Sequence, residues 1–349
     1  MNVVNKNELT ECIPLTPALK SKYSDGCHIY LDPEKALEMQ RDEQVKIVYD
    51  DPVKEKKFIK TITEPHKYYE KNAFTDGKIR VAWIQDYEKV GGAELSNLQV
   101  LKVGVNCGFD IVCVTPQNNN LDALKESDVI IINNFYHFSM DQERYILDYI
   151  GNTKIPYIIY SHDMRGLKRM DEWQCMYENS AYNVFVSPKH KEIYNVDNDS
   201  LVLPLAIDLD NFFKFENVKR EEGSVFIPTM AKQGKEIWDF LQKNPHYKYY
   251  AINTTHPQIT NVKGVKNELM HKIYSKFETV YHCPEVFWAG DRVLFEAQLC
   301  GCKVIANDNV GHKSWGFGDD IDKIKEELRK APFTFWKEVE KYVKSNCIS

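Results

Sequence analysis

Lys78-Ile79-Arg80-Val81-Ala82-Trp83-Ile84, Gly91-Gly92-Ala93-Glu94-Leu95 and Phe109-Asp110-Ile111-Val112-Cys113-Val114-Thr115 form one continuous unit of the 349-residue chain. It reads as strand, glycine turn, helix and strand. The first piece is almost wholly apolar, as a strand covered on both faces must be. Leu95, Leu98, Leu101 and Val105 then recur at helical spacing, and Gly108 closes the helix. Working outward, the same alternation continues. Val129 to Asn133, Tyr157 to Tyr160, Val184 to Ser187 and Leu201 to Pro204 read as further strands. Apolar strands alternating with helices predict a parallel sheet with helices on both faces.

The pattern restarts after a linker, Ala206 to Phe213, and a charged stretch, Lys219 to Gly223. Ser224 to Ile227, Tyr247 to Ile252, Thr279 to His282 and Lys303 to Ala306 read as strands. Lys235 to Leu241, Asn267 to Ser275 and Arg292 to Cys300 read as helices, the last closed by Gly301. The expected division is an N-terminal accessory segment over 1–77 and a Rossmann-like domain over 78–205. A second such domain covers 206–318, and a helical segment 319–349, with Phe333, Trp336, Val339 and Val343 on one stripe. In the accessory segment, His28 to Leu31 and Val45 to Tyr49 are strand-like. Asp32-Pro33 opens a helical piece between them.

Composition narrows the class. The formal net charge is -6 and the pI about 6.0, so no overall electrostatic pull toward nucleic acid or anionic membrane is expected. Basic runs at Lys54 to Lys57 and Arg165 to Arg169 read first as solvated faces. The nine cysteines include no C-x-x-C pair. Cys107, Cys113 and Cys300 stand in apolar runs and read as buried thiols, which suits a reducing cytosol. No apolar run reaches membrane-span length. A cytoplasmic protein is expected.

Two parallel sheets in series place ligands beyond the carboxyl ends of their strands. The loops after each strand therefore carry the candidates. Gly91-Gly92 opens a helix, where glycines admit a close ligand and the helix start offers free N–H groups. A bare strand-to-helix turn is the plainer reading. His282 to Asp291 is an aromatic-rich loop running into a helix that carries Glu296. That carboxylate is either an exposed helix residue or a grip on sugar hydroxyls.

Four blocks, in order, resemble the retaining GT-B glycosyltransferases. They are Gly91-Gly92-Ala93-Glu94; Phe185-Val186-Ser187-Pro188; Leu203 to Phe212; and Arg292-Val293-Leu294-Phe295-Glu296-Ala297 running on to Ala306. The resemblance spans about Lys78 to Gly311. It implies an α/β GT-B fold, with two Rossmann-like domains facing each other across a cleft. It also implies a glycosyltransferase that takes a nucleotide-sugar donor, retains the anomeric configuration and uses neither metal nor other cofactor. Glu296 would hold the donor ribose. Asp291, Arg292 and Val293 at the helix start would face the diphosphate, with Gly91 and Gly92 lining it. Lys232 and Lys235 resemble the basic turn that neutralises the departing diphosphate. His162 matches a cleft-facing histidine, although a core or surface histidine is an equal reading.

Two departures stand out. Trp288 occupies the place of the first glutamate of the E-x7-E donor motif, leaving Glu285 or Asp291 to stand in. Pro228-Thr229-Met230 replaces the arginine before the basic turn. Compact relatives of this kind occur in viruses, where the location would be the host cytoplasm. Asp208-Leu209-Asp210 spells a metal-type triplet but reads as linker. The acceptor expected is a carbohydrate, lipid or protein. A hydroxylated DNA base is the alternative, with Arg165 to Arg169 on the phosphates. A catalytically silent binding protein is the third reading, favoured by Trp288.

Overall fold

The computed structural model describes residues 2–5, 45–48, 73–75, 79–86, 91–134, 136–164, 170–214, 218–262 and 270–347. The expected pieces His28 to Leu31 and Asp32 to Leu37, and both basic runs, lie outside these residues. At the N-terminus Asn2–Asn5 (β1) pairs antiparallel with Val45–Val48 (β2). The described residues pack as two compact units. One takes them from 64–209, 286–295 and 306–349, the other from 1–63, 210–285 and 296–305.

The first unit is built on a six-stranded sheet. Its strands are Ile79–Ile84 (β3), Phe109–Val114 (β4), Val129–Ile132 (β5), Tyr157–Ser161 (β6), Tyr182–Phe185 (β7) and Ser200–Val202 (β8). The order is β4-β3-β5-β6-β7-β8, and every neighbouring pair is parallel. All residues of β4, β5 and β7 are buried, the polar Asp110 and Asn183 included, and burial on both faces accounts for their otherwise apolar character. Helices Gly92–Asn106 (α1), Ala123–Glu126 (α2), Met140–Asn152 (α3), Met170–Asn179 (α4) and Pro188–Tyr194 (α5) connect the strands. Their starts follow local chemistry. Ser139 and Gln142 form a reciprocal cap on α3. Ser187 caps α5, with Pro188 as its first residue.

The second unit has a five-stranded sheet of Glu221–Ile227 (β9), Lys248–Ile252 (β10), Ile259–Val262 (β11), Phe277–His282 (β12) and Lys303–Ala306 (β13). Its order is β11-β10-β9-β12-β13. The β9, β10, β11 and β12 pairings are parallel. Glu236–Lys243 (α6), Met270–Tyr274 (α7) and Val293–Leu299 (α8) follow in the chain. Ile237 and Leu241 of α6 pack with Val225, Ile227, Tyr249 and Tyr281. Gly301 ends α8 at φ +81°, as its sequence position predicts.

The last helix, Ile321–Cys347 (α9), returns to the six-stranded unit. Phe335, Trp336, Val339 and Val343 join the core containing Val81, Trp83 and Leu101. Trp336 Nε1 donates to Val100 O at 2.7 Å, and its ring lies 4.5 Å from that of Phe109. Phe333 is exposed, so the buried stripe runs through Phe335 rather than Phe333. Cys107 is also exposed, because it caps the end of α1, whereas Cys113 and Cys300 are buried. No helix among the described residues is long and apolar enough to cross a membrane.

Candidate functional site

In an open parallel sheet the ligand crevice lies where strand order reverses. In the five-stranded sheet that reversal is between β9 and β12. The loop after β9 carries Lys232, Gln233, Gly234 and Lys235, and the loop after β12 carries Cys283, Pro284 and Glu285. Gln233 fastens one to the other. Its Oε1 accepts from Cys283 N at 2.7 Å, and its Nε2 donates to Thr229 O at 2.8 Å. Glu285 N donates to Lys232 O at 3.0 Å, and Gly234 N to Cys283 O at 3.0 Å. Three candidates, Lys232, Lys235 and Glu285, therefore share one loop pair. Lys232 is half-buried, and Lys235 and Glu285 are exposed. Glu296 lies in the first turn of α8. It is buried, not on a solvated helix face.

The six-stranded sheet reverses between β3 and β5. The loop after β3 leads into Gly91 and Gly92. Gly91 N donates to Glu94 Oε2 at 2.9 Å, which closes the first turn of α1. Burial raises the pKa of Glu94, and the nearby Asp86 adds to the rise. Arg292 reaches this turn. Its Nη1 donates to Ser96 Oγ at 2.8 Å, Gly92 O at 3.3 Å and Ala206 O at 3.4 Å. Asp291 accepts from Val293 N at 3.1 Å, so its carboxylate occupies the first helical N–H of α8. This segment is seated closely on its unit. A β-carbon on Gly290 would lie 2.5 Å from Val186 Cγ2 and 2.8 Å from Leu205 Cδ1. Ser187 Oγ donates to Ala289 O at 2.7 Å.

His162 follows β6 and is buried. Neither of its ring nitrogens has a hydrogen-bond partner among the described residues. Burial pushes its pKa down to about 3, and His190, Arg292 and His312 push it the same way. It is a neutral imidazole. His312, stacked on Phe295 at 4.4 Å, is likewise buried, and burial holds it near 3 against the opposing pull of Asp291. His190 differs. Its Nδ1 accepts from Val186 N at 3.3 Å and its Nε2 faces Asp163 O at 3.2 Å, which places the proton on Nε2. His190 thus braces the β7–α5 turn. His162 and His312 are buried polar rings whose hydrogen-bonding capacity a ligand or water can meet.

Gln233, Asp86 and His137 were not legible as site residues. Asp86 lies beyond β3 and His137 beyond β5. Asp86 Oδ2 accepts from Tyr136 N at 2.8 Å and Oδ1 from His137 N at 2.8 Å. The only signal in sequence is a polar residue just past an apolar strand. Its meaning depends on which strands are neighbours. Beneath them Asn97 donates to Gln85 Oε1 at 2.9 Å and to Asn133 Oδ1 at 3.0 Å, so buried amides hold β3, α1 and β5 together.

No family model matches this chain, and no curated protein matches it. Solved structures do. A sucrose-phosphate synthase from Thermosynechococcus elongatus matches with a TM-score of 0.53 at 13% identity, over 77% of this chain and 94% of that one. An alpha-glucosyltransferase in complex with UDP and a 13-mer DNA containing an HMU base matches with a TM-score of 0.50 at 13% identity, over 77% and 95%. An Anabaena protein in complex with UDP-glucose matches with a TM-score of 0.50 at 11% identity, over 76% and 95%. At these identities the likeness speaks for the fold. With two parallel sheets and their covering helices, that fold is the α/β fold of GT-B glycosyltransferases.

Proposed function

We propose that the chain is a glycosyltransferase that moves a glycosyl group from a nucleoside-diphosphate sugar to a hydroxyl-bearing acceptor. The observation that carries this reading is the furnishing of the β9–β12 reversal. Two lysines and a carboxylate stand there on loops joined by Gln233. Diphosphate departure develops negative charge, and fixed cations beside it lower the barrier. Lys232 and Lys235 serve that role. Glu296 binds the donor ribose, and His162 offers an unused neutral imidazole to a sugar hydroxyl. Arg292 holds the Gly91-Gly92 turn in shape. A diphosphate at the start of α8 would displace the Asp291 carboxylate from Val293 N–H. The cations proposed for the leaving group are side chains, so the reaction is proposed to run without metal. Retention, a hexosyl or pentosyl donor and a cytoplasmic location complete the reading.

UDP-glucose is the first donor to test, since it is bound by the Anabaena relative. Lys232→Ala and Lys235→Ala are each expected to lower turnover by about 10²-fold. Glu296→Ala is expected to raise the donor KM. Unchanged turnover in all three variants would sink the proposal. The likeness to a DNA-bound alpha-glucosyltransferase favours a second reading, transfer to a hydroxylated base. A gel shift with duplex DNA that weakens steeply with salt supports it, and salt-independent or absent binding removes it. Donor binding with no transfer and no hydrolysis would favour the silent binding protein.

A further inference from the structure

We propose that the rim of the five-stranded sheet at Trp238 binds a chain of neutral sugars, in addition to any transfer chemistry. Trp238 stands on α6, which follows β9. His256 stands in the loop that follows β10, the neighbour of β9 in the sheet. Both therefore lie at the carboxyl end of the strands, where open α/β sheets take their ligands. Ile237 and Leu241 turn one side of α6 into the core, whereas Trp238 is 42% exposed. Its ring centre lies 4.9 Å from that of His256, the planes 33° apart. All of these residues belong to the same compact unit.

A single exposed aromatic needs no explanation by itself. Here the loop beside the indole is fastened at successive points. Thr254 N donates to Asn261 Oδ1 at 3.2 Å, His256 N to Thr254 Oγ1 at 3.2 Å, and Gln258 N to His256 Nδ1 at 3.3 Å. The last bond makes Nδ1 an acceptor, so Nε2 carries the ring proton and is a donor. An imidazole held in this way fixes the indole before a ligand arrives, which lowers the ordering cost of binding. Trp238 N donates to Lys235 O at 3.1 Å, so the indole adjoins the loop proposed for the diphosphate.

The composition of the loop selects the ligand. From Tyr249 to Val262 the chain has no Lys, Arg, Asp or Glu, and Asn253, Thr255, Gln258 and Thr260 are exposed. Amides and hydroxyls give and accept hydrogen bonds with sugar hydroxyls, and the apolar C–H face of a sugar ring lies flat on an indole. A nucleic acid base would also stack on Trp238, but its backbone needs cations to track the phosphates. The loop supplies none. Around α6 the exposed charges offset one another, Lys235 and Lys243 against Glu236 and Asp239. The surface thus fits an uncharged carbohydrate rather than a polyanion.

The test titrates the full chain, with no donor present, with maltohexaose, cellohexaose and mannohexaose, and in a separate arm with an oligothymidylate. Indole N–H resonances are followed by NMR, that of Trp238 being assigned by its loss in Trp238→Ala. One hexasaccharide should shift this resonance to saturation. Trp238→Ala should bind that sugar at least about tenfold more weakly, at an unchanged melting temperature. His256→Ala keeps the indole but frees it, and should weaken binding as well. Equal sugar binding by wild type and Trp238→Ala overturns the assignment, as does a Trp238 resonance that none of the three sugars moves. A shift with oligothymidylate alone also overturns it, in favour of a nucleic acid. No donor takes part, so each of these results leaves the glycosyltransferase reading to its own test.

Discussion

Gly104→Ala should destabilise the six-stranded unit, and the sign should reverse once Trp336 is cut back. Gly104 lies in the last turns of α1, where α9 crosses it. A β-carbon there would fall inside the Trp336 indole and 2.8 Å from Ile111 Cδ1. Carbon atoms in contact sit about 3.5–4 Å apart, so the indole would have to retreat. It has little room. Trp336 is almost wholly buried, is bonded to Val100 O at 2.7 Å, and lies 6.1 Å from the Trp83 ring and 5.0 Å from that of Phe335. Overpacking of this kind costs about 1–3 kcal/mol, and losing the indole hydrogen bond adds about 1 kcal/mol. Against this, replacing glycine by alanine in a helix gains at most about 1 kcal/mol. The net expected loss is about 1–3 kcal/mol. Trp336→Leu alone should cost about 3 kcal/mol. In that background the obstruction is gone, and Gly104→Ala should be neutral or stabilising by up to about 1 kcal/mol. The coupling is then about 1–4 kcal/mol. Urea unfolding of the four proteins reads it from midpoints at constant m. Equal costs of Gly104→Ala in both backgrounds would refute the steric argument.

Acid should weaken the fold early. His162, His190 and His312 are held near 3 when folded, against about 6.5 when unfolded. The unfolded chain thus binds protons that the native one refuses, and stability is full above about pH 7 and falls as pH drops toward 3. At pH 5.5 each histidine should cost on the order of 1 kcal/mol. Urea midpoints at pH 7.5 and 5.5 check this, and His312→Asn should remove about a third of the fall. Ser96→Ala removes an acceptor 2.8 Å from Arg292 and should cost about 1.5–3 kcal/mol in thermal unfolding. Gln233→Ala leaves the buried Cys283 N–H without its partner. It should cost about 1–3 kcal/mol and raise the donor KM, because the Lys232 and Glu285 loops lose the one side chain that fastens them and keep only two backbone bonds. Steady-state kinetics would expose an unchanged KM. Gly290→Ala should destabilise by about 1–3 kcal/mol, since Val186 and Leu205 lie against it.

Much of the fold was legible because its signals are local. Short β-branched apolar runs such as Val129 to Ile132 read as strands buried on both faces, and all four residues are buried. Gly108 and Gly301 announce helix ends through backbone freedom confined to one residue. Strand order is not local. Nothing near Ile84 says that its neighbours are β4 and β5. For that reason Asp86, His137 and Gln233 stayed hidden, while Gly91 was singled out from its strand–turn–helix setting and Lys232 from a resemblance. Helix faces were read to within a step. Phe333 shares the periodicity of Val339 and Val343 but falls at the edge of the face that Phe335 and Trp336 bury. Arg292 stood in a recognisable block, yet its bonds to Ser96 and Ala206 join residues 196 and 86 positions apart. No window of sequence contains such a contact.

The central claim meets its most direct test in the purified wild-type chain, incubated separately with UDP-glucose, GDP-mannose and ADP-glucose and followed by release of nucleoside diphosphate. The account predicts that one donor raises the melting temperature by mass action and is slowly hydrolysed, with faster release when a hydroxyl-bearing acceptor is added. Three donors left intact, with no shift in melting temperature, would contradict it.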